Sequence, residues 1–192
     1  MAFDIRRLKG EMNRGGVRQN LFEVRFDSSG NFGGKGRDLV PFMAQATSIP
    51  SSDIAPISVP YFGRFINLAG DRTFAPWSVQ VVNDPDFAIR HDLEEWHNRL
   101  NGRSTNTRNR SYALASNYKI DATVVQYAQT GDPIRTYKFI GMFPTSIGDI
   151  TLSWADNNSI EVFPVQFQYD YWEVVENNTN TSGNYTGSIS IS

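Results

Sequence analysis

The alternation of apolar and polar residues at 77–81 constrains the fold of this chain more than any other feature. Its apolar members are Trp77, Val79 and Val81, and the polar Ser78 and Gln80 stand between them. Side chains of a strand point alternately to its two faces, so this period of two predicts a strand with one buried face.

A single amphipathic helix is predicted after this strand, at about 85–101. Its apolar residues follow at spacings of four, three and four, which places them on one helix face. These residues are Ile89, Leu93, Trp96 and Leu100. Asp84 can cap the helix and Pro85 suits its first position, because a proline has no N–H to leave unbonded there. Burial of each large apolar side chain is worth about 1.5–3 kcal/mol, so the stripe can hold the helix on a sheet.

Several other segments have the two-residue period of strands and are separated by turn-forming residues. The predicted strands are Leu21–Phe26, Leu39–Ala46, Arg64–Ala69, Tyr118–Gln126, Ile134–Ile140, the short Thr151–Trp154 and the long Ile160–Tyr171. Gly70, Asp71 and Arg72 are interpreted as a turn with a local Asp–Arg pair, and residues 28–36 as a glycine-rich hairpin loop. Together with the single helix, these strands predict a mainly β fold, an antiparallel β-sandwich or partly open barrel with one flanking α-helix.

The segment 48–61 is expected to reach away from the body of the domain. Prolines divide it at positions 50, 56 and 60, and a proline cannot donate to the hydrogen-bond ladder of a sheet. Inside the segment a two-residue apolar period continues with Ile57, Val59 and Tyr61. It therefore predicts an exposed loop or edge hairpin whose apolar residues have no obvious place in the sheet.

The two ends of the chain differ in composition from the domain, which is expected at 20–176. Residues 1–19 form an N-terminal basic arm that includes Arg6 and Arg7, and residues 177–192 form a flexible polar tail. The arm is either solvated or ordered on a neighbouring subunit. The loop after Gly102 is basic as well, and is either solvated or in contact with an acidic neighbour.

No pattern typical of catalysis or metal binding is present in the sequence. The chain has no cysteine, and its two histidines, His91 and His97, do not share a face of the predicted helix. No catalytic residue, metal ligand or cofactor is therefore expected. A net charge of −2 argues against tight nucleic-acid binding by the whole surface. No apolar run approaches the length of a membrane span, so no membrane partner is expected.

Three blocks of the sequence are similar to one known family. The first is INLAGDRTFAPWSVQVVNDPDFAIRHDLEEW at 66–96, the second is IGMFPTSIG at 140–148 running on to Trp172, and the third is the weaker NLFEV at 20–24. In order and spacing these blocks resemble the tail tube proteins of contractile-tailed phages of the T4 type. The resemblance is weakest in the glycine-rich segment, in the loop after Gly102 and in the C-terminal tail.

The resemblance implies a structural role without catalysis. Subunits of this family form hexameric rings in which sheets join across subunits into a ring-shaped β-barrel, and the rings stack into a tube. Genomic DNA passes through the lumen without tight binding. The implied partners are other copies of the chain, the tail sheath protein, and baseplate and tube-terminator proteins. The implied location is the phage tail in the virion, after assembly in the host cytoplasm.

Two sets of residues are expected to matter under this interpretation. The candidate subunit-interface residues are Arg6, Arg7, Ile57, Val59, Tyr61, Asp71 and Arg72. The expected core anchors are Trp77, Leu93, Trp96, Trp154 and Trp172.

Two alternative functions remain open at the level of sequence. A tube-initiator or baseplate protein, or a tube subunit of a secretion system, would share the fold and differ in how it stacks. A carbohydrate-binding β-sandwich is the alternative from another class, and its exposed aromatic residues would bind sugar.

Overall fold

The computed structural model describes residues 5, 9–10, 16–27 and 35–175, and two antiparallel sheets dominate them. The strands are β1 (Phe22–Phe26), β2 (Ala44–Thr47), β3 (Ser52–Tyr61), β4 (Arg64–Phe74), β5 (Trp77–Val82), β6 (Ile120–Tyr127), β7 (Pro133–Ile147), β8 (Val162–Gln168) and β9 (Tyr171–Val175). The helices are α1 (Lys35–Met43) and α2 (Ala88–Leu100), and two short 3-10 helices follow at Arg110–Tyr112 and Ala115–Asn117.

Strand β7 belongs to both sheets of the body. Its first part pairs with β6 and β9, giving a first sheet in the order β1-β6-β7-β9. Its last part pairs with β8, giving a second sheet in the order β2-β5-β8-β7. Because the sheets share one strand, they form a partly open barrel as well as a sandwich. The mainly β, antiparallel fold expected from the sequence is confirmed.

Gly141 lets β7 pass from one sheet to the other. It has a left-handed φ of 67°, and Ile140 and Gly141 together lie opposite the single residue Asp121. Two residues opposite one define a β-bulge, which bends the strand. The Gly141 amide donates to the Asp121 carboxylate at 3.0 Å. A Cβ at this position would lie 2.4 Å from the Asp170 carboxylate, which would have to shift, and the left-handed φ itself favours glycine.

An aromatic cluster fills the space between the two sheets. Trp77 stacks on Phe139 with ring centroids 4.4 Å apart and planes 10° from parallel. Phe167 lies 5.5 Å from the Trp77 ring and joins the second sheet to this pair. The apolar members of the alternating pattern in β5 are fully or almost fully buried, so one face of this strand forms the core, as its sequence predicts.

The five expected core anchors differ in burial. Trp77, Leu93 and Trp96 are buried, and Trp172 is partly buried against the core. Trp154 was expected in the core, but its side chain is fully exposed. It lies in the loop between β7 and β8, which contains no strand in place of the expected Thr151–Trp154. Because residues 151–154 do not form a strand of either sheet, Trp154 has no inward-facing strand position.

Helix α2 packs its predicted apolar face on the core. Ile89, Leu93 and Trp96 are buried, and the Trp96 indole N–H donates to the Tyr118 carbonyl at 3.1 Å. The helix starts at Ala88, three residues later than expected. Asp84 still acts on its first turn, because its carboxylate accepts from the Ala88 amide at 3.3 Å.

Helix α1 takes the place of residues 39–43 of the predicted strand Leu39–Ala46, so the described range 35–175 contains two α-helices and not one. Val40 is buried, and Leu39 and Met43 pack partly against the core. The Gly36 amide donates to the Asp92 carboxylate at 3.0 Å, which joins α1 to α2. Pro41 removes one backbone donor, and the helix ends two residues later. Only residues 44–46 of the expected strand lie in a strand, β2, which pairs with β5.

The predicted long strand Ile160–Tyr171 is divided between the sheets. Its inward residues are buried as expected, namely Phe163, Val165, Phe167 and Tyr169. The Asp170 amide donates to the Ile140 carbonyl at 3.0 Å, and the chain there leaves the second sheet. Strand β9 then pairs with β7 in the first sheet.

Some sequence expectations lie outside the described residues. These are Arg6 and Arg7, most of the arm 1–19, residues 28–34 of the glycine-rich segment, and the tail 177–192. Gly36, placed in a loop by its sequence, lies in α1. Within the described part of the chain, neither helix has the length and apolarity needed to cross a membrane.

Candidate subunit interface

Strands β3 and β4 form a separate two-stranded hairpin, although β4 was expected to return to the main sheet. They pair from Ser52–Phe74 to Tyr61–Arg64. Phe62 and Gly63 connect them with left-handed φ angles of 42° and 78°. Two central residues with positive φ match the twist of the flanking strands and are typical of a tight hairpin turn.

The hairpin has one apolar face and one mixed face. Ile57 lies opposite Leu68, and Val59 lies opposite Ile66. Directly opposed residues of an antiparallel pair have their side chains on the same face. Tyr61 follows on this face by the two-residue period. We call the surface formed by Ile57, Val59, Tyr61, Ile66 and Leu68 the apolar face of the hairpin.

The apolar face is uncovered in the single chain. Its five side chains are between 43% and 63% exposed, whereas the opposite face has a hydrogen bond of 2.7 Å between the Ser58 hydroxyl and Asn67. A two-stranded hairpin is at best marginally stable alone in water. A contiguous exposed apolar surface of this kind is typical of a protein–protein contact.

Gly70 interrupts the register of the hairpin near its base. Ile54 pairs with Arg72 and Pro56 with Ala69, so two residues of β4 lie opposite Ala55. A Cβ on Gly70 would lie 2.5 Å from the Ala55 carbonyl oxygen, which explains the glycine. The expected turn at 70–72 is therefore wrong, because these residues form a bulge within a strand.

Of the two charged candidates, Asp71 lies in this bulge, and Arg72 pairs with Ile54 next to it, on the face opposite the apolar one. Both are exposed. Among the ion pairs of the described residues, none joins the two side chains. The structure thus brings Ile57, Val59 and Tyr61 together and leaves the charged candidates apart from them.

The base of the hairpin is fixed to the body by buried contacts. The Tyr169 hydroxyl donates to the Ala75 carbonyl at 2.7 Å, and burial raises the pKa of Tyr169 to about 12. The Trp77 indole N–H donates to the Thr47 hydroxyl at 2.8 Å. Phe74 packs its ring 6.1 Å from that of Tyr169. The hairpin is therefore held at one end only.

The first sheet presents two open edges. Among the described residues, β1 pairs only with β6, and β9 pairs only with β7. An open edge has unpaired backbone donors and acceptors, which favour pairing with a strand of another chain. These edges are the second feature of the molecule suited to assembly.

The strand register shows which described residues of the two sheets face outward. Among these residues, every lysine or arginine is paired with a carboxylate. On the first sheet, Arg25 binds Glu23 at 2.7 Å and Lys138 binds Asp121 at 3.1 Å. The Arg25 hydrogen bond lowers the pKa of Glu23, and Asp121 raises the pKa of Lys138. The outer residues of β5 and β8 carry no charge: Ser78, Gln80, Val82, Val162, Pro164, Gln166 and Gln168.

The side chains that could hold a metal ion are scattered among the described residues. Within the ranges that the structure describes, no three His, Cys, Asp or Glu side chains are grouped so that they could hold a metal ion. His97 lies beside a surface cavity and His91 is exposed on α2.

Two of the five residues of the apolar face, Ile66 and Leu68, were not among the candidates predicted from the sequence. Ile66 and Leu68 continue the two-residue period after the turn, but their segment also reads as an ordinary strand of the body. Phe62, at the tip, is 91% exposed. The signal that could have identified them is the short interval between Tyr61 and Arg64, which fits a two-residue hairpin turn.

Known proteins of one family are similar to this chain. The sequence profile of the family described as phage tail tube protein matches residues 17–175. Tail tube protein gp19 of Enterobacteria phage T4 is 34% identical over 159 residues, which cover 82% of this chain and 91% of that protein.

Two solved structures show the same fold at low sequence identity. One is a chain of the sheath–tube complex of the extracellular contractile injection system PVC, with a TM-score of 0.59, 15% identity, and coverage of 91% of this chain and 99% of that chain. The other, from the sheath/tube terminator of that system, has a TM-score of 0.61, 15% identity, and coverage of 84% and 97%.

Proposed function

This chain belongs to the phage tail tube protein family and is a structural tail tube subunit, and we propose that it forms stacked six-membered rings around a DNA-conducting lumen. The role is mechanical and not enzymatic. The protein is a component of the virion and assembles in the host cytoplasm. Neither relative nor fold neighbour favours a carbohydrate-binding module.

The observation that carries this proposal is the uncovered apolar face of the hairpin. Burying a large apolar side chain contributes about 1.5–3 kcal/mol, and Ile57, Val59 and Leu68 can contribute only if another subunit covers them. A ring supplies such a neighbour for every subunit. The open edges of β1 and β9 allow the first sheet to continue into those of its neighbours, which would close a barrel without free edges.

Tube subunits also meet other proteins of the particle. We propose that the outside of the stacked rings contacts the tail sheath protein, and that the ends of the tube contact baseplate and tube-terminator proteins. The fold neighbours support this assignment, since they come from sheath–tube and terminator assemblies. The arm 1–19, with Arg6 and Arg7, and the hairpin base, with Asp71 and Arg72, remain proposed contacts between subunits.

The lumen is proposed to surround DNA without binding it tightly. Each cation that neutralises a phosphate adds about −0.9 to the slope of log affinity against log salt, and such contacts would slow a sliding genome. The outer residues of β5 and β8 are uncharged, and Arg25 and Lys138 on the other sheet are paired with carboxylates. Either sheet would therefore offer few free cations to a phosphate backbone.

Electron microscopy of the purified protein tests the assembly. We expect six-fold rings or stacked tubes as the protein concentration rises, with or without added sheath or baseplate protein. Concentration-series sedimentation gives the same result in solution. A protein that stays monomeric at every concentration, even with these partners added, contradicts the proposal.

Titration of assembled tubes with duplex DNA tests the lumen. We expect weak binding at low salt and none at moderate salt. A variant that lacks residues 1–19 and has Arg103, Arg108 and Arg110 changed to serine serves as a control, because it removes the positive charge of the arm and of the loop after α2. Tight and steeply salt-dependent binding that this variant retains would contradict a lumen that does not grip DNA.

A further inference from the structure

The loop between β7 and β8 exposes large apolar side chains that are not part of the subunit contacts proposed above. Trp154 is fully exposed, and Leu152 is 81% exposed. Residues 149–160 also contain two carboxylates, Asp149 and Asp156, and no lysine or arginine. The loop therefore presents an indole in an acidic setting. Trp is among the residues that contribute most to protein interfaces.

A cavity of about 500 Å³ opens elsewhere on the same chain. Its walls include Leu100 and His97 from the last turn of α2, and Phe143 and Thr145 from β7. Pockets of about 300–1,000 Å³ enclose drug-sized molecules, and an indole ring is smaller than such a molecule. The cavity is thus large enough for one tryptophan side chain and the backbone beside it.

The rim of this cavity is basic. The Arg108 guanidinium lies over the Tyr118 ring, 5.2 Å from its centroid, and both residues line the cavity. Residues 101–117 contain three arginines and no acidic residue; Arg103 is paired with Glu94 of α2 at 3.1 Å, and Arg108 is the arginine that lines the cavity. The acidic loop and the basic rim are therefore complementary in charge, and an indole beside Arg108 gains a cation–π contact.

Trp154 does not fill this cavity in its own subunit. Its side chain is fully exposed and is not among those that line the cavity, although β7 contributes Phe143 and Thr145 to the lining shortly before the loop begins. A surface and its complement that stay unoccupied within one subunit can pair between copies, and such pairing produces a head-to-tail contact that repeats from copy to copy.

We propose that Trp154 of one subunit inserts into this cavity of the next subunit, with the acidic loop against the basic rim. This inference rests on the proposed function, since it supplies one of the contacts that a tube needs. It assigns a role to the loop after α2, to Trp154 and to the β7–β8 loop in a single head-to-tail interface that is separate from the hairpin.

Paired single-cysteine variants test the contact, because the chain has no cysteine of its own. Ser153→Cys places a thiol beside Trp154, and Thr145→Cys places one at the cavity. The two proteins are prepared separately, one with a tag that changes its mass, then mixed at assembling concentrations and oxidised. We expect the mixed disulfide dimer to be at least tenfold more abundant than with a control pair in which Thr130→Cys, in the turn before β7, replaces Thr145→Cys. Adding Trp154→Ala to the Ser153→Cys protein should remove this excess.

Electron microscopy of the same mixtures separates the two proposals. Assembled rings or tubes with no excess of the Ser153–Thr145 disulfide overturn the inference, leave the proposed function in place and assign the cavity to a different partner. An excess that survives Trp154→Ala also overturns the role of this side chain. Absence of both assembly and disulfide contradicts the inference and the proposed function together.

Discussion

Strand β5 and the β3–β4 hairpin have the same two-residue apolar period and opposite burial. Trp77, Val79 and Val81 of β5 are at most 4% exposed, whereas Ile57 and Val59 of β3 are 54% and 43% exposed. The period shows that each strand has one apolar face, which is stable only when it is buried. It does not show whether the cover comes from the same chain or from a neighbour. The body is thus complete within one subunit, and we propose that a neighbouring subunit covers the hairpin.

The largest effect is expected from removing a core side chain of the body. Trp96→Ala should lower the free energy of unfolding by about 3–5 kcal/mol, because a large buried side chain leaves a cavity and its hydrogen bond to the Tyr118 carbonyl is lost. Chemical denaturation of the dilute, unassembled protein measures this. Glu95→Ala is the control on the same helix and should change stability by less than about 1 kcal/mol, since its ion pair with Arg99 is exposed. Equal stability of the two variants would contradict the docking of α2 by this face.

Alanine substitutions at two glycines, one in the body and one in the hairpin, compare the effect of a steric clash in each region. A Cβ on Gly141 would meet the Asp170 carboxylate in the body, and a Cβ on Gly70 would meet the Ala55 carbonyl in the hairpin. Gly141→Ala should cost about 1–3 kcal/mol of subunit stability, as overpacking does. Gly70→Ala should leave the unfolding of the dilute subunit nearly unchanged and impair assembly. The opposite result, a body destabilised by Gly70→Ala alone, would show that the hairpin is part of the folding unit.

Polar substitution of the apolar face tests the need for a neighbour directly. Changing Ile57 and Val59 to threonine keeps β-branched side chains in the strand and removes apolar contacts. We expect the subunit concentration needed for assembly to rise at least about tenfold, equivalent to about 1.4 kcal/mol, with unchanged thermal unfolding of the dilute protein. Ser58→Ala, on the opposite face of the same strand, is the matched control. Normal assembly of the double variant would exclude this face as an interface.

A smaller effect is expected where α1 meets α2. Burial raises the pKa of Asp92, even though the Gly36 amide donates to it. Its charged form is therefore less favourable in the folded protein than in the unfolded chain, and this penalty appears as pH rises through the folded pKa. Asp92→Asn keeps an acceptor for Gly36 and should stabilise the subunit by less than about 1 kcal/mol at neutral pH.

The difference between this variant and the original protein should disappear at a pH below the unfolded pKa of Asp92, where both side chains are neutral. Denaturation at several pH values measures this. A stabilisation that is the same at acidic and neutral pH would show that the charge of Asp92 is not its cause.

The sequence predicted those parts of the fold whose pattern is long and regular. Strand β5, helix α2 and the inward face of β8 follow from periods of two and of 3.6 residues. Helix α1 could not be predicted in this way, because it has nine residues and contains Pro41. Its stability comes from contacts with α2 and the core, such as Val40, and these contacts depend on the tertiary structure.

The candidate interface was predictable only in part, for a related reason. Ile57, Val59 and Tyr61 stood out because prolines mark their strand as unsuited to a central position. Ile66 and Leu68 belong to a strand without prolines, which resembles a strand of the body. For Trp154 the error has the opposite direction, because an exposed residue was predicted to be buried. It is a large aromatic residue in one of the sequence blocks that resemble the family, and such a residue is easily assigned to the core. Burial depends on the neighbouring elements, and a single residue type does not report them.

The attachment of the hairpin at its base gives it the properties of a lever. Strand β3 has 10 residues and thus spans about 33 Å at about 3.3 Å per residue, so a tilt of about 6° at the base moves the tip by about one residue spacing. Small changes in the packing of Phe74 on Tyr169 and Trp172 are therefore amplified at Phe62. In the proposed ring, the aromatic contacts at the base would set where each subunit reaches its neighbour. Substitutions there can alter the diameter or the twist of a tube while the interface itself keeps its chemistry.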